Sequence, residues 1–417
     1  MKILLNHITN TYNYGSMMMA ENVITYLKQY LGKDEIEFYT DCKTEQDISR
    51  LKQATKYEKI YKDTIICKNA KGKIGILKNI LLNGIYNKKA SRYYDLIIVL
   101  GGDDFSEIYI KSWIGKILAT KEILDLKKLN GRKNVILLGQ TVGPYTGIRK
   151  KIAKKVFSKI KLYTRDDINL ETMKKEYGIN AIPSRDLAFL NLARQDEEIK
   201  RKNEILNKYG LIEEEYITIV GTQLIDKYCS DTETFVKQFI NIIKAVQSIY
   251  KGKKMLWLSH VTTEPYRYSD NYLLKLINDC DDFADKNMTI VKEPILPVDA
   301  RILLGSGYLT ITCRMHAAVS TFQMIKPAIC LSYSPKYRGV IADGLDMDEL
   351  VIEAKNDKLW QTEIVDVVID KVQYVEKNRE DIINKIHKNV NRCKTAAEET
   401  LKEISKDLLG SANSESK

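Results

Sequence analysis

Residues Tyr308–Leu331, YLTITCRMHAAVSTFQMIKPAICL, hold the pattern that decides the fold. An apolar run, Tyr308–Ile311, is followed by the polar break Thr312-Cys313-Arg314. A helix-like stretch then continues to about Ile325, and a second apolar run, Ala328–Leu331, comes after Lys326-Pro327. Two strands joined through a helix make a crossover, and a crossover joins parallel neighbours.

The alternation recurs outward from this unit. Tyr216–Val220, Met255–Ser259 and Met288–Val291 read as strands before it; Lys2–Ile8, Asp95–Leu100, Asn134–Leu138 and Lys161–Thr164 read as strands in the first half. Each is followed by a turn and a helix-like segment, and the charged Arg194–Lys208, itself helical in pattern, separates the two series. Strand–helix alternation of this kind predicts an α/β protein with two Rossmann-like domains, residues 1–193 and 194–352. Helix formers dominate the helical segment 353–409, and residues 410–417 read as a frayed tail.

Composition narrows the class. The chain has 417 residues, with 44% hydrophobic and 9% aromatic residues, enough to build ordinary cores and to exclude bulk disorder. Seven prolines exclude a proline-rich architecture. The apolar runs are far shorter than the roughly 20 residues that span a bilayer. The Met1-Lys2-Ile3 start lacks a signal-peptide layout, so a cytoplasmic protein is expected. The seven cysteines form no C-x-x-C pair and there are only four histidines. Reduced thiols, no metal and no cofactor follow as expectations.

Lys and Arg number 66 against 55 Asp and Glu, a net charge of +11. The excess gathers in two acid-free blocks, Lys71–Arg92 and Arg149–Lys161, and the first is interleaved with Ile74, Ile76, Leu77, Ile80, Leu81 and Ile85. Such blocks suit an anionic membrane surface or a phosphorylated substrate, and equally two solvated helix faces. No RNA-recognition or helix-turn-helix signature is present, so no nucleic acid is expected.

Parallel sheets bind ligands at the carboxyl ends of their strands, which points to the polar residues just after each one. Asn13-Tyr14-Gly15-Ser16 precedes a helix expected near Met17, with Ser16 either facing a ligand or capping. Gly101-Gly102-Asp103-Asp104 offers close backbone approach and acids for sugar hydroxyls, or simply a capped turn. Gly139-Gln140-Thr141-Val142-Gly143-Pro144 is a short polar turn without the dinucleotide fingerprint. Arg165 ends a strand, where it can fork onto an anion or pair with Asp166 and Asp167. Asp186 can position a hydroxyl or cap. Arg314 and His316 join a permanent cation to a proton-exchanging group at a helix start. Lys336 and Arg338 add charge after the next strand.

In this order the motifs resemble the polysaccharide pyruvyl transferase family, over about residues 1–345. The resemblance rests on Asn13–Ser16, Gly101-Gly102, Gly139–Pro144, Arg165, Asp186-Leu187-Ala188, Arg314-Met315-His316-Ala317 and Tyr333-Ser334-Pro335-Lys336. It departs at Ser16 and at Asp103, where the family often carries an acid and a third glycine; both bear on the acceptor. The resemblance implies a GT-B-type arrangement and transfer of an enolpyruvyl unit from phosphoenolpyruvate to a cell-surface glycan or its lipid-linked precursor. The product would be a pyruvate ketal. Arg314, Arg165 and Lys336 would then hold the donor, with Gln140 and Gly143. His316 would donate the proton, and Asp103, Asp104 or Asp186 would be the base. Asn13, Gly15, Ser16, Asp103 and Asp104 would lie on the acceptor side. A sugar-nucleotide glycosyltransferase on the same frame, and a non-catalytic basic protein bound to a membrane surface, are the alternatives.

Overall fold

The computed structural model describes residues 1–32, 35–65, 72–102, 105–107, 110, 112–280 and 288–414, without the side chains of 72–81 and 411–414. Asp103 and Asp104 lie outside the described residues, as do the side chains of Ile74–Leu81 in the first basic block. The chain divides into two compact units: residues 1–11, 19–187 and 395–417, and residues 12–18 and 188–394. Residues 12–18 therefore count with the second unit, not with an uninterrupted N-terminal domain.

The first unit carries seven parallel strands: β1 (Lys2–Asn6), β2 (Glu37–Thr40), β3 (Ile60–Lys62), β4 (Leu96–Gly102), β5 (Val135–Gln140), β6 (Lys161–Thr164) and β7 (Ile182–Pro183). Their order is β3-β2-β1-β4-β5-β6-β7. The central strands are apolar on both faces: all of Leu96–Leu100 and Val135–Gln140 is buried, as a sheet covered by helices requires. Parallel register sets Leu4 beside Ile97 and Ile98 beside Ile136. Leu4, Ile97, Val99, Val135 and Leu137 share one core with Ile123, Leu126, Val156 and Phe157 of the covering helices. Each such side chain contributes about 1.5–3 kcal/mol on burial.

The second unit repeats the pattern with β8 (Tyr216–Val220), β9 (Lys254–Leu258), β10 (Met288–Val291), β11 (Leu309–Thr312), β12 (Ala328–Ser332) and β13 (Val351–Glu353), in the order β10-β9-β8-β11-β12-β13. Both sheets reverse direction beside their first strand, between β1 and β4 and between β8 and β11. A reversal of this kind opens the crevice where ligands bind in doubly wound sheets. The α/β class with two Rossmann-like units, expected from the alternation, is the one found.

Several local expectations shift. The first helix starts at Tyr14, not near Met17, because the Asn13 carbonyl already accepts from Met17 N at 3.0 Å. Ser16 is thus inside the first turn and does not cap it. Arg194–Lys208 breaks into two short helices, Gln195–Lys200 and Lys202–Lys208. The C-terminal segment forms three helices, and the last, Arg379–Ser414, continues past Gly410, where fraying was expected.

Candidate functional site

The second unit assembles its polar side chains around the end of β11. Arg314 caps the Met315–Gln323 helix with extended backbone (φ −116°, ψ 115°), and its own N–H donates to Thr312 Oγ1 at 2.8 Å. This places its guanidinium on Asp270. Nε lies 3.1 and 3.3 Å from the two carboxylate oxygens, and Nη2 also donates to Oδ1. Asp270 is buried, and its Oδ2 accepts the N–H groups of His260 and Val261 at 3.1 and 2.8 Å. Burial opposes the Arg314 charge, yet Asp270 more than compensates and holds its pKa above the ordinary arginine value. Nη1 makes no hydrogen bond among the described residues, which leaves it for a ligand.

The loop carrying His260 is stitched to residues 12–14. Asn13 bridges Val261, Tyr14 N donates to the His260 carbonyl at 3.2 Å, and Thr262 N donates to the Tyr12 carbonyl at 2.9 Å. The Tyr14 ring tilts against the His260 ring at 5.2 Å, and its hydroxyl accepts from Ile295 N at 2.9 Å. This stitching brings Gly15 under His316: a Cβ at residue 15 would stand 2.2 Å from His316 Nδ1. Glycine at 15 is therefore required by close approach, not by a turn. His316 is half-buried, whereas His260 is wholly buried; desolvation, then the nearby His316, Arg314 and Arg301, push the His260 pKa well down.

Three tyrosines brace the β11 end. The Tyr337 and Tyr228 hydroxyls donate to the Cys313 carbonyl at 2.6 and 3.0 Å. Tyr333 packs on both rings and takes a hydrogen bond from Lys336 Nζ at 2.8 Å. Burial raises the Cys313 thiol to about 12, so it stays protonated and inert at neutral pH.

The first unit gathers a second set at the ends of β5 and β6. Gly101 and Gly139 lie so close that a Cβ on Gly101 would come within 2.5 Å of the Gly139 carbonyl. Gly139 and Gly143 both hold positive φ, +71° and +83°. The turn is pinned by Thr141 N to the Gly102 carbonyl at 2.9 Å and Gly143 N to the Phe105 carbonyl at 2.7 Å. Buried Gln140 donates to the Leu100 carbonyl. Arg165, also buried, donates from Nε to Thr141 Oγ1 at 3.0 Å and lies 3.9 Å from the Asp186 carboxylate. It does not pair with its neighbours in the manner the alternative reading supposed. Asp166 caps the next helix through Asn169 N at 2.7 Å, and Asp167 binds Arg185. Arg165 Nη2 and Gln140 Oε1 have no hydrogen-bond partner among the described residues. Buried polar atoms in that condition are characteristic of ligand sites.

Arg314, His316, Gly15, Asn13 and Lys336 thus all belong to the second unit, and Gln140, Gly143, Arg165 and Asp186 to the first. Ser16 and Asn13 are half-buried at the helix start. Asp270, His260, Tyr228 and Tyr337 were not singled out from sequence. Among the described residues no group of three His, Cys, Asp or Glu can hold a metal ion.

A family model described as polysaccharide pyruvyl transferase matches residues 13–335. In sequence the chain is similar to the amylovoran biosynthesis protein AmsJ of Erwinia amylovora, 27% identical over 311 residues, covering 72% of this chain and 69% of that one. In structure it is similar to UDP-GlcNAc 2-epimerase from Neisseria meningitidis bound to UDP-GlcNAc, with a TM-score of 0.59 at 11% identity, covering 98% of this chain and 99% of that one. The Methanocaldococcus jannaschii UDP-GlcNAc 2-epimerase gives 0.55 at 15% identity, covering 89% and 91%. At such identities the structural likeness concerns the fold alone.

Proposed function

The chain belongs to the polysaccharide pyruvyl transferase family, a premise from which we propose that it is a transferase of polysaccharide synthesis using phosphoenolpyruvate as donor. The observation that carries the proposal is Arg314, oriented by buried Asp270, two residues from a half-buried His316 at the β11 end.

Phosphoenolpyruvate presents a carboxylate and a phosphate, and a guanidinium with free N–H groups suits either in bidentate fashion. Asp270 fixes the fork in advance, so orienting it costs nothing on binding. His316 donates a proton to the donor's methylene carbon. The adjacent carbon becomes an oxocarbenium-like centre, and one sugar hydroxyl adds to it, losing its proton to a base. The carbon–oxygen bond to phosphate then breaks as a second hydroxyl closes the ketal, and phosphate leaves with the second hydroxyl's proton. Two hydroxyl protons are lost; one replaces the proton spent on the methyl group and the other accompanies phosphate.

Arg165 and Gln140 form a separate polar set that we assign to recognising anionic or hydroxyl groups of the substrates. Asp186, wholly buried beside Arg165, is better placed to position that arginine than to exchange protons with a sugar. The acceptor is proposed to be a glycan or its lipid-linked precursor.

Calorimetric titration of the purified chain with phosphoenolpyruvate, UDP and GDP tests the donor. Arg314→Lys is the companion variant, since it leaves Asp270 a counter-charge but removes the fork. Phosphoenolpyruvate at about 100 times its Kd should stabilise the fold by roughly 2.7 kcal/mol, and Arg314→Lys should weaken its binding. Stabilisation by a nucleoside diphosphate in its place overturns the proposal in favour of a sugar-nucleotide glycosyltransferase.

A further inference from the structure

The helix Trp113–Leu129 packs its Ala119, Ile123 and Leu126 into the first unit's core. Its opposite face is anomalous. Trp113, Ile114, Ile117 and Leu118 all point into solvent, Trp113 being 71% exposed. Helical spacing puts these four on one stripe. On the neighbouring helix, Gly147–Phe157, Ile148 is likewise 70% exposed. At the start of this neighbouring helix Glu107 takes hydrogen bonds from Arg149 and from Thr146 Oγ1, and its carbonyl accepts from Ile110 N at 3.0 Å. Ser112 then caps the first helix through Gly115 N at 3.0 Å. Large apolar side chains gathered in solvent on one helix face, rather than scattered singly, mark a docking face.

Its charge identifies the occupant. Ile148, Lys151 and Lys155 share one face of their helix by three- and four-residue spacing. Lys151, Lys154, Lys155 and Lys159 are exposed and have no carboxylate partner among the described residues, whereas Arg149, Lys150 and Lys161 pair with Glu107, Glu176 and Asp407. Two copies of this face would set like charges together. A bilayer with anionic headgroups would neutralise them while its acyl boundary receives the Trp and Ile side chains. No helix among the described residues is long and apolar enough to cross a membrane; this one would lie on it.

We infer that the face formed by Trp113, Ile114, Ile117, Leu118, Ile148 and the lysines beside them docks the protein onto an anionic membrane surface. The apolar half of this face lies outside both basic blocks of the sequence. The inference is independent of the donor and survives or fails apart from it.

Intrinsic fluorescence of the intact chain tests it directly. Trp113 is exposed and the other two tryptophans, Trp257 and Trp360, are wholly buried, so a change on adding vesicles reports on this face. Phosphatidylcholine vesicles containing phosphatidylglycerol should shift the emission to the blue, and brominated acyl chains should quench it. Trp113→Phe should abolish the signal while co-sedimentation with vesicles persists. Lys151→Glu with Lys155→Glu should weaken co-sedimentation at least tenfold, as should Ile117→Ser; all three side chains lie outside the core. No shift with anionic vesicles, or an equal shift with phosphatidylcholine alone, overturns the inference. So does a sedimentation-velocity dimer that Ile117→Ser dissociates, which would make this face a contact between copies of the chain.

Discussion

The imidazole of His316 rests on the Cα of Gly15, leaving no room for a side chain: an added Cβ would sit 2.2 Å from Nδ1 and 2.7 Å from Cγ. The obstructed atoms belong to a half-buried side chain, not to backbone, so Gly15→Ala forces the ring aside without breaking the fold. Alanine also gains about 1 kcal/mol in helix propensity, which favours retention of the helix. The expected result is a normally folded protein by circular dichroism, with turnover lowered roughly 100-fold or more, as in His316→Ala. Wild-type turnover in Gly15→Ala would remove His316 from the chemistry.

Asp270 and Arg314 should behave as one unit. Arg314→Ala strands a buried carboxylate, and loss of one partner of such a pair typically costs about 3–5 kcal/mol. Adding Asp270→Asn to Arg314→Ala removes the stranded charge while keeping an acceptor for the His260 and Val261 N–H groups. The double variant should therefore recover part of the lost stability in urea denaturation. Additive losses would mean that the two side chains are not coupled.

How much of this was legible in the chain follows from distance along it. Arg314 and His316 stood out because a strand–helix junction exposes its own polar residues in sequence. Asp270 lies 44 residues from Arg314 and follows a loop after β9, where it passes for an ordinary helix-start aspartate. Only folding shows that it accepts from two backbone N–H groups and a guanidinium. His260 was similarly silent, as a lone histidine at a strand end. The same holds for the strands: β3, β7 and β13 have two or three residues each, too few for a period, and are defined by the neighbours they pair with. The long, apolar β4 and β5 needed no such help. The exposed stripe Trp113–Leu118 escaped notice because its spacing also suits a core-facing helix.

Arg165 offers a separate test in the first unit. Arg165→Lys keeps the charge beside Asp186 but loses the Nε donor to Thr141 and the unsatisfied Nη2. The fold should hold, while KM for a substrate read by this arginine rises about tenfold, one lost charged hydrogen bond being worth about 1.5–3 kcal/mol. Arg165→Met should instead destabilise the first unit, since buried Asp186 then loses the guanidinium 3.9 Å from its carboxylate. An unchanged KM for both donor and acceptor in Arg165→Lys would reduce Arg165 to a structural role.

His260 gives the protein a pH-dependent stability whose sign is fixed by burial. In the unfolded chain the imidazole titrates near 6.5; in the native state desolvation, assisted by His316, Arg314 and Arg301, holds it neutral to well below that pH. Below pH 6.5 the unfolded state therefore binds a proton that the native state refuses, so stability is fully present above the unfolded pKa and declines as the pH falls towards the native one. The slope approaches about 1.4 kcal/mol per pH unit for a single group. Buried carboxylates such as Asp41 and Asp166, with pKa values raised by desolvation, act with the opposite sign as the pH falls through their own folded-state pKa values. Comparison with His260→Gln isolates the histidine from them. Between pH 7.5 and 5.5 the wild type should lose stability faster than His260→Gln in chemical denaturation, and parallel curves would mean that His260 takes up its proton as readily in the folded protein as in the unfolded chain.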